Sequence, residues 1–334
     1  MIRKRNQRVA VLAVNRFAVR EGCEVKNYVR LISPAKINLV LAVGSPREDG
    51  FHTVHTIMHS LALHDSLTMR RFEEDDEVLG SDEAGLSIVL KCETSGDIDV
   101  LEVPAEDNIA YRAVQELAKE LGRTENETIH MSLSKVIPAE AGLGGGSSNA
   151  AAALLGAALL WGIDPQDERL YTVASRLGAD VAFFLKGGCA FLSGKGDVFE
   201  QSLKPRKGFI VLVRPAAGVS TAKAYAAFDA NPRYPEQDYL DQLASQTDAA
   251  EVELWNNLAD AACEVAPEVA EVLKWAESHP SAQTALLCGS GSAVGILCDS
   301  YEDAYKCSLD AYKRGWWNRV TSFAPVGASV LEAY

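Results

Sequence analysis

The chain has no apolar run long enough to cross a membrane. A spanning helix needs about 18 or more consecutive apolar residues, and the longest candidate, Ala150 to Ile163, stops short of that. Its seven cysteines, at positions 23, 92, 189, 263, 288, 298 and 307, form no Cys-x-x-Cys pair. Their odd number and scatter speak against a disulfide framework and for reduced thiols in the cytoplasm. Positive charge is scarce. Thirty-two Lys and Arg face 46 Asp and Glu, a formal net charge of −14, so neither a nucleic-acid footprint nor a membrane partner is expected. The deficit is uneven: residues 1–30 carry eight basic side chains against Glu21 and Glu24, a balance of +6, and the remainder carries −20. That opening segment holds no serine, which argues against a transit peptide, and residues 1–30 are expected to be a flexible extension.

His52, His55, His59 and His64 crowd one stretch and invite a metal reading. No glutamate completes an HExxH pair, and zinc is not expected. From Glu73 to Asp107, thirteen acidic residues surround one strand-like segment, Leu86 to Lys91, as suits a solvated edge and its loops.

Against these absences stands one dense motif. Ile137-Pro138-Ala139-Glu140-Ala141-Gly142-Leu143-Gly144-Gly145-Gly146-Ser147-Ser148-Asn149-Ala150 is a glycine-rich loop running into an alanine-rich helix. Gly142, Gly144, Gly145 and Gly146 can take positive φ and put no Cβ in the way, so successive backbone N–H groups can turn on an anion. Ser147 or Ser148 is expected to cap the helix that follows, over about 148–161, whose free N–H groups and positive dipole end attract phosphate. A Walker A loop is excluded, because no lysine follows Gly146. A dinucleotide fingerprint fits poorly, because Ser147 stands where its third glycine belongs.

Periodicity and turn residues place the other elements. A strand is expected from Tyr28 to Val43 with Pro34 at its entry, then a strand, or a short helix into a strand, over 51–69. Asp107 or Asn108 should cap a helix from about Ile109 to Leu121, stopped by Gly122, ahead of a strand over 128–136. Asp164-Pro165 should open a helix ending near Leu177, and Gly187, Gly188, Gly194 and Gly196 should punctuate a hairpin. Beyond it come a strand from Phe209 to Val213 and helices at about 221–229, 237–245, 251–263 and 267–278. The chain closes with strands at 284–287 and 293–298 around a glycine turn, a helix at 301–314 and a final strand near 319–324.

The run from Pro138, Pro-x-x-x-Gly-Leu-Gly-Gly-Gly-Ser-Ser-Asn-Ala, resembles the phosphate loop of the GHMP kinases, the small-molecule kinases named for galactose, homoserine, mevalonate and phosphomevalonate. Two segments resemble signatures of one branch, the 4-diphosphocytidyl-2-C-methyl-D-erythritol kinases of the non-mevalonate isoprenoid pathway. They are Ser33-Pro34-Ala35-Lys36-Ile37-Asn38-Leu39 and Leu177-Gly178-Ala179-Asp180-Val181-Ala182-Phe183-Phe184. Gly50-Phe51-His52 stands in the place of that branch's Gly-Tyr-His, and Cys288-Gly289-Ser290-Gly291-Ser292-Ala293 resembles the superfamily's third glycine motif. The resemblance covers about residues 33–334. It departs at Phe51, where tyrosine is usual, and at Ala182, where proline is common.

This resemblance implies an α+β chain of two domains. The first, over 31–205, would bind ATP on a fold like the second domain of ribosomal protein S5; the second, over 206–334, would be ferredoxin-like, with the active site in the cleft between them. ATP with Mg²⁺ is the implied cofactor, and the tertiary 2-hydroxyl of a cytidine diphosphate-linked methylerythritol the implied acceptor. Pro138, Ala139, Glu140, Ala141, Gly142, Leu143, Gly144, Gly145, Gly146, Ser147 and Ser148 would cradle ATP, with Ser148 the candidate Mg²⁺ contact. Asp180 would accept or orient the proton of the acceptor hydroxyl, and Lys36 would pair with it and stabilise the developing alkoxide. Phe51 and Tyr225 would sandwich the cytosine, His52 and Asn38 would read its edge and hold the substrate, and Thr221, Gly289, Ser290 and Gly291 would complete the substrate site. A monomer or weak homodimer is expected. The alternatives are a kinase of mevalonate or homoserine and a non-catalytic nucleotide-binding protein on the same fold. Pro34 to Leu39 with Gly50 to His52 argue against the first, Lys36 with Asp180 against the second.

Overall fold

The computed structural model describes residues 24–73, 85–98 and 103–334. Residues 1–23 of the expected extension lie outside the described residues. Residues 24–30 join the fold: the Lys26 N–H donates to the Leu159 carbonyl at 3.2 Å, and Tyr28 stacks on Tyr334 with ring centroids 4.6 Å apart.

Two long antiparallel strands, β1 (Tyr28–Pro46) and β2 (His52–Glu73), form the spine. β1 is buried along most of its length. Val29 and Leu31 sit in one core, Ala35, Ile37 and Leu39 in a middle layer, and Leu41 and Val43 in a second core. Covered on both faces, the strand reads as a near-continuous apolar run instead of alternating. Pro34 lies inside the strand, not at its entry, at a register shift between Pro34 and Lys36. Such a bulge tolerates a residue without an N–H.

There follow β3 (Leu86–Thr94), α1 (Ile109–Leu121), β4 (Glu127–Lys135), α2 (Gly145–Leu160), α3 (Glu168–Leu177), α4 (Val181–Lys186), β5 (Cys189–Ser193) and β6 (Val198–Ser202). The later elements are β7 (Phe209–Arg214), α5 (Thr221–Ala230), α6 (Gln237–Ala244), β8 (Trp255–Asn256), α7 (Ala259–Val265) and α8 (Pro267–Ser278). The chain ends in β9 (Thr284–Leu287), β10 (Val294–Cys298), α9 (Tyr301–Lys313), β11 (Trp317–Ser322) and β12 (Ser329–Ala333).

One sheet runs β12-β1-β2-β4-β3, with β5 paired to β2 and β6, and β8 to β1. The acid-flanked β3 is its edge. The other sheet runs β11-β7-β10-β9 with antiparallel pairs, a ferredoxin-like order. A middle apolar layer joins the sheets, bringing Ile37, Ile57 and Leu61 together with Ile210, Leu212 and Leu286.

Three further expectations need correction. The helix expected from Asp164 starts at Glu168, because Asp167 caps it by accepting the Arg169 N–H at 2.9 Å, while Asp164 closes a turn to Gln166. The helix expected over 251–263 is divided into β8, parallel to β1, and α7. The Asn256 side chain accepts the Leu258 N–H and donates to the carbonyls of Leu287 and Gly289, which ends the strand there. β12 was not foreseen; it pairs with β1 and returns the chain end to the first sheet.

Candidate active site

The phosphate loop enters α2 through Gly144, which takes a left-handed conformation (φ 69°) at the N-cap. No side chain caps the helix, so Ser147 and Ser148 lie in its first turn, contrary to expectation. Gly142 (φ 72°) shares the positive φ, and so does Glu140 (φ 51°), whereas Gly145 and Gly146 are already helical. A helix opened by glycine keeps its first N–H groups free, and with the dipole these make an anion site. The buried Ser148 hydroxyl has no hydrogen-bond partner.

The loop is clamped from three sides. From β1, the Lys36 N–H donates to the Leu143 carbonyl at 2.9 Å. From the third glycine motif, the Ser292 and Ala293 N–H groups donate to the Glu140 and Ala141 carbonyls, each at 3.2 Å. Contact there is so close that a Cβ on Gly142 would overlap the Cys288 carbonyl oxygen, and one on Gly144 would lie 2.9 Å from Lys36 Cγ.

From beneath, Asp65, fully buried on β2, accepts the N–H groups of Val136 (2.7 Å) and Ile137 (2.9 Å) through Oδ1. Its Oδ2 takes Lys135 Nζ at 2.6 Å and Asn149 Nδ2 at 3.0 Å. Asn149 also accepts from Lys135 at 2.8 Å and donates to Ser33 Oγ at 2.8 Å. Four donors on one carboxylate make its burial tolerable. Sequence reasoning missed this support. Its signal was parity: Asp65 stands on the same inward face of β2 as Leu61, Leu63, Leu67 and Met69.

Over the loop opens a cleft of 630 Å³. Lys36 Nζ lies 3.6 Å from Asp180 Oδ2, an ion pair with side-chain exposures of 6% and 27%. It donates to Asn38 Oδ1 at 2.7 Å; Asn38 donates to Thr56 Oγ1 at 2.8 Å, and Thr56 to the Val40 carbonyl at 2.6 Å. That chain of bonds fixes the ammonium. Asp180 precedes α4, yet its carboxylate makes no capping bond, so it stays available to the cleft. Burial, reinforced by the Asp180 charge, pushes the Tyr225 hydroxyl up to about 12. Burial pushes the Cys288 thiol up to about 12 as well, so it remains protonated and is no nucleophile.

Lys36, Asn38, Glu140, Gly142, Gly144, Ser147, Asp180, Thr221, Tyr225, Gly289, Ser290 and Gly291 all line this cleft. The Thr221 and Ser290 hydroxyls are 2.9 Å apart across its mouth. Pro138, Ala139, Ala141, Leu143, Gly145, Gly146 and Ser148 are not on its wall, nor are Phe51 and His52. His52 is buried beside it, with Nδ1–H donating to the Gly44 carbonyl at 2.9 Å, Nε2 3.3 Å from Asp229 and its ring 5.2 Å from that of Tyr225. Phe51 is 56% exposed, and its ring meets the Lys195 ammonium at 4.8 Å. Lys195 itself lines the cleft. Sequence reasoning missed it, although Lys195, between Gly194 and Gly196, stands in the tight turn of the β5–β6 hairpin.

Among the described residues no three His, Cys, Asp or Glu side chains converge as metal ligands, and no helix is long and apolar enough to cross a membrane. The oxygens at the loop, from Ser147, Ser148, Glu140 and Asp180, suit a hard cation that keeps water and phosphate ligands.

Residues 108–188 match the family model of the GHMP kinases N terminal domain. A 4-diphosphocytidyl-2-C-methyl-D-erythritol kinase of Desulfitobacterium hafniense is 34% identical over 301 residues, covering 89% of this chain and 96% of that one. The crystal structure of a 4-(cytidine 5'-diphospho)-2C-methyl-D-erythritol kinase superposes with a TM-score of 0.68 at 29% identity, over 88% of this chain and 99% of that one. Homoserine kinase from Cytophaga hutchinsonii shares the fold, with a TM-score of 0.67 at 18% identity over 95% of this chain and all of its own. With its loop, lysine and aspartate gathered at one cleft, the chain belongs to the 4-diphosphocytidyl-2-C-methyl-D-erythritol kinase family of the GHMP kinases.

Proposed function

We propose that the protein transfers the γ-phosphoryl group of ATP to the 2-hydroxyl of 4-diphosphocytidyl-2-C-methyl-D-erythritol, yielding the 2-phosphate and ADP on the non-mevalonate route to isoprenoid precursors. The observation that carries this reading is the Lys36–Asp180 pair, 3.6 Å apart in the cleft that the glycine loop also lines.

Phosphoryl transfer needs a phosphate cradle, charge neutralisation and an aligned acceptor. Gly142, Gly144 and the first turn of α2 provide the cradle. Mg²⁺ bound with ATP would neutralise the β- and γ-phosphates; the unpartnered Ser148 hydroxyl and Ser147 are the residues that would hold it. Asp180 accepts the hydrogen bond of the acceptor hydroxyl, orients it and receives its proton as the new O–P bond forms and the γ-phosphoryl bond to ADP breaks, while the Lys36 ammonium, braced by Asn38, stabilises the negative charge developing on that oxygen. A tertiary alcohol is hindered, so alignment outweighs proton removal; pre-organised orientation supplies about 7 kcal/mol or more.

Tyr225 offers the cytosine a half-buried aromatic face on the cleft wall, with His52 beside it. Lys195 places a cation for the substrate's diphosphate in a chain of net charge −14, where the general field repels such an anion. We place the enzyme in the cytoplasm and divide it at 205/206, with β12 lent back to the first domain.

An ADP-release assay comparing the cytidine-linked methylerythritol with mevalonate and homoserine tests this. Turnover with the first substrate alone is expected. Equal or faster turnover with either other acceptor overturns the substrate assignment, and no ADP release with any of them favours a non-catalytic protein.

A further inference from the structure

Helix α9 carries Tyr301, Tyr305, Leu309 and Tyr312, exposed by 58%, 54%, 41% and 73%. Steps of four, four and three residues put them on one stripe. The other face, Ala304, Cys307 and Ala311, is buried in the second core, so the helix cannot turn to hide the stripe. Phe209 braces Tyr301 edge to face with ring centroids 5.8 Å apart. At about 200 Å² for a whole tyrosine, the stripe leaves roughly 400 Å² of ring and methyl surface in water. A patch of that size matches the largest apolar patch of an ordinary monomer, and such patches are often functional.

The charges beside the stripe select the occupant. Glu302, near the N-terminal end, and Lys313, the last residue of α9, lie on the same flank. In an antiparallel helix pair, equal flanks meet. Glu302 of one copy then faces the partner's Lys313, and the symmetry repeats the contact. The same two-fold sets Tyr301 against the partner's Tyr312 and Tyr305 against the partner's Leu309, because all three pairs share a midpoint near residue 307. In a parallel pairing the flank that carries Glu302 and Lys313 would lie on opposite sides of the two copies, and the two charges would not meet across the axis.

We propose that the Tyr301–Tyr312 face of α9 is the two-fold interface of a homodimer, packed antiparallel on α9 of a second copy. Such a contact is isologous and self-complementary. Two stripes with their charged flanks bury on the order of 1,000 Å², below the size of a standard stable interface, which makes the dimer weak and dependent on concentration.

Sedimentation velocity of the full chain over about 1 to 300 µM tests the proposal. A shift from monomer to dimer within that range is expected. Tyr305→Glu should weaken association at least tenfold, and Glu302→Lys or Lys313→Glu alone at least fivefold. The double variant Glu302→Lys/Lys313→Glu should restore it to within about twofold, which a merely structural effect would not do. Glu302 also pairs with Lys306 within the helix at 2.8 Å, and Lys306 lies 3.7 Å from Asp303, so Lys306→Gln, which removes only these contacts within the helix, should leave the dimer intact. Thermal melts of each variant within a few degrees of wild type confirm folding. A monomer at the highest concentration, a dimer indifferent to Tyr305→Glu, or a charge swap that fails to restore association overturns the proposal.

Discussion

The backbone of Lys36 donates its N–H to the carbonyl of Leu143 at 2.9 Å while its side chain reaches within 3.6 Å of Asp180. One residue of β1 thus holds the glycine loop with its main chain and the Asp180 carboxylate with its ammonium. A one-residue slip of β1 against β2 would turn Lys36 to the opposite face. The long strand, buried along most of its length, makes such a slip costly.

Two glycines of the loop should respond oppositely to alanine. Gly142→Ala drives a Cβ into the Cys288 carbonyl at φ 72° and should destabilise by about 3 kcal/mol or more. Gly146 is helical, and a Cβ there meets Ile109 Cγ2 at an ordinary 3.6 Å. Gly146→Ala should be neutral or gain up to about 1 kcal/mol. Urea unfolding of the two variants separates them, and equal destabilisation would contradict the loop conformation.

The Asp65 network should be costly to break from one side. Asp65→Ala leaves Lys135, 12% exposed, without its carboxylate and frees the Val136 and Ile137 N–H groups. A loss on the order of 3–5 kcal/mol is expected. Removing both charges with Asp65→Leu/Lys135→Met should cost less than the single change. A loss under about 1 kcal/mol for Asp65→Ala would show that the loop does not lean on it.

His59 gives stability a pH dependence. Burial pushes its imidazole down to about 4. Its Nδ1–H donates to the Ser60 carbonyl at 2.8 Å, and Nε2 accepts the Arg206 N–H at 3.0 Å, an arrangement open only to the neutral ring. The folded value lies below the unfolded one, so this stabilisation is complete above about pH 6.5 and is lost as pH falls toward 4, up to about 3 kcal/mol in all. His59→Gln should flatten the melting temperature between pH 7 and 4.5 relative to wild type. Parallel profiles would exclude His59 as the cause.

Lys195→Met should raise the KM for the cytidine-linked substrate about tenfold or more and leave the KM for ATP within about twofold. Fluorescence titration with each nucleotide gives an independent reading. An equal loss for both ligands would place Lys195 at the nucleotide instead.

Much of this was legible in the sequence because it is local. The glycine run marks the loop, Asn108 and Gly122 bracket α1 with a cap and a left-handed stop, and the apolar length of β1 announces a strand covered on both faces. Lys36 and Asp180, far apart in the chain, were found through the segments that hold them. What escaped depends on long-range partners. β8 and β12 are short, half-exposed strands that exist because β1 offers them an edge. The role of Asp65 follows from register across β2, and that of Lys195 from a hairpin folding back over the cleft. The serine cap failed because Gly144 could take φ 69° and occupy the N-cap itself.

The most direct test of the central claim is steady-state ADP release by Asp180→Asn with the cytidine-linked methylerythritol as acceptor. The geometry predicts a kcat at least a hundredfold below wild type, with the KM for both substrates within about threefold. A variant turning over near the wild-type rate would contradict the place given to Asp180 beside Lys36.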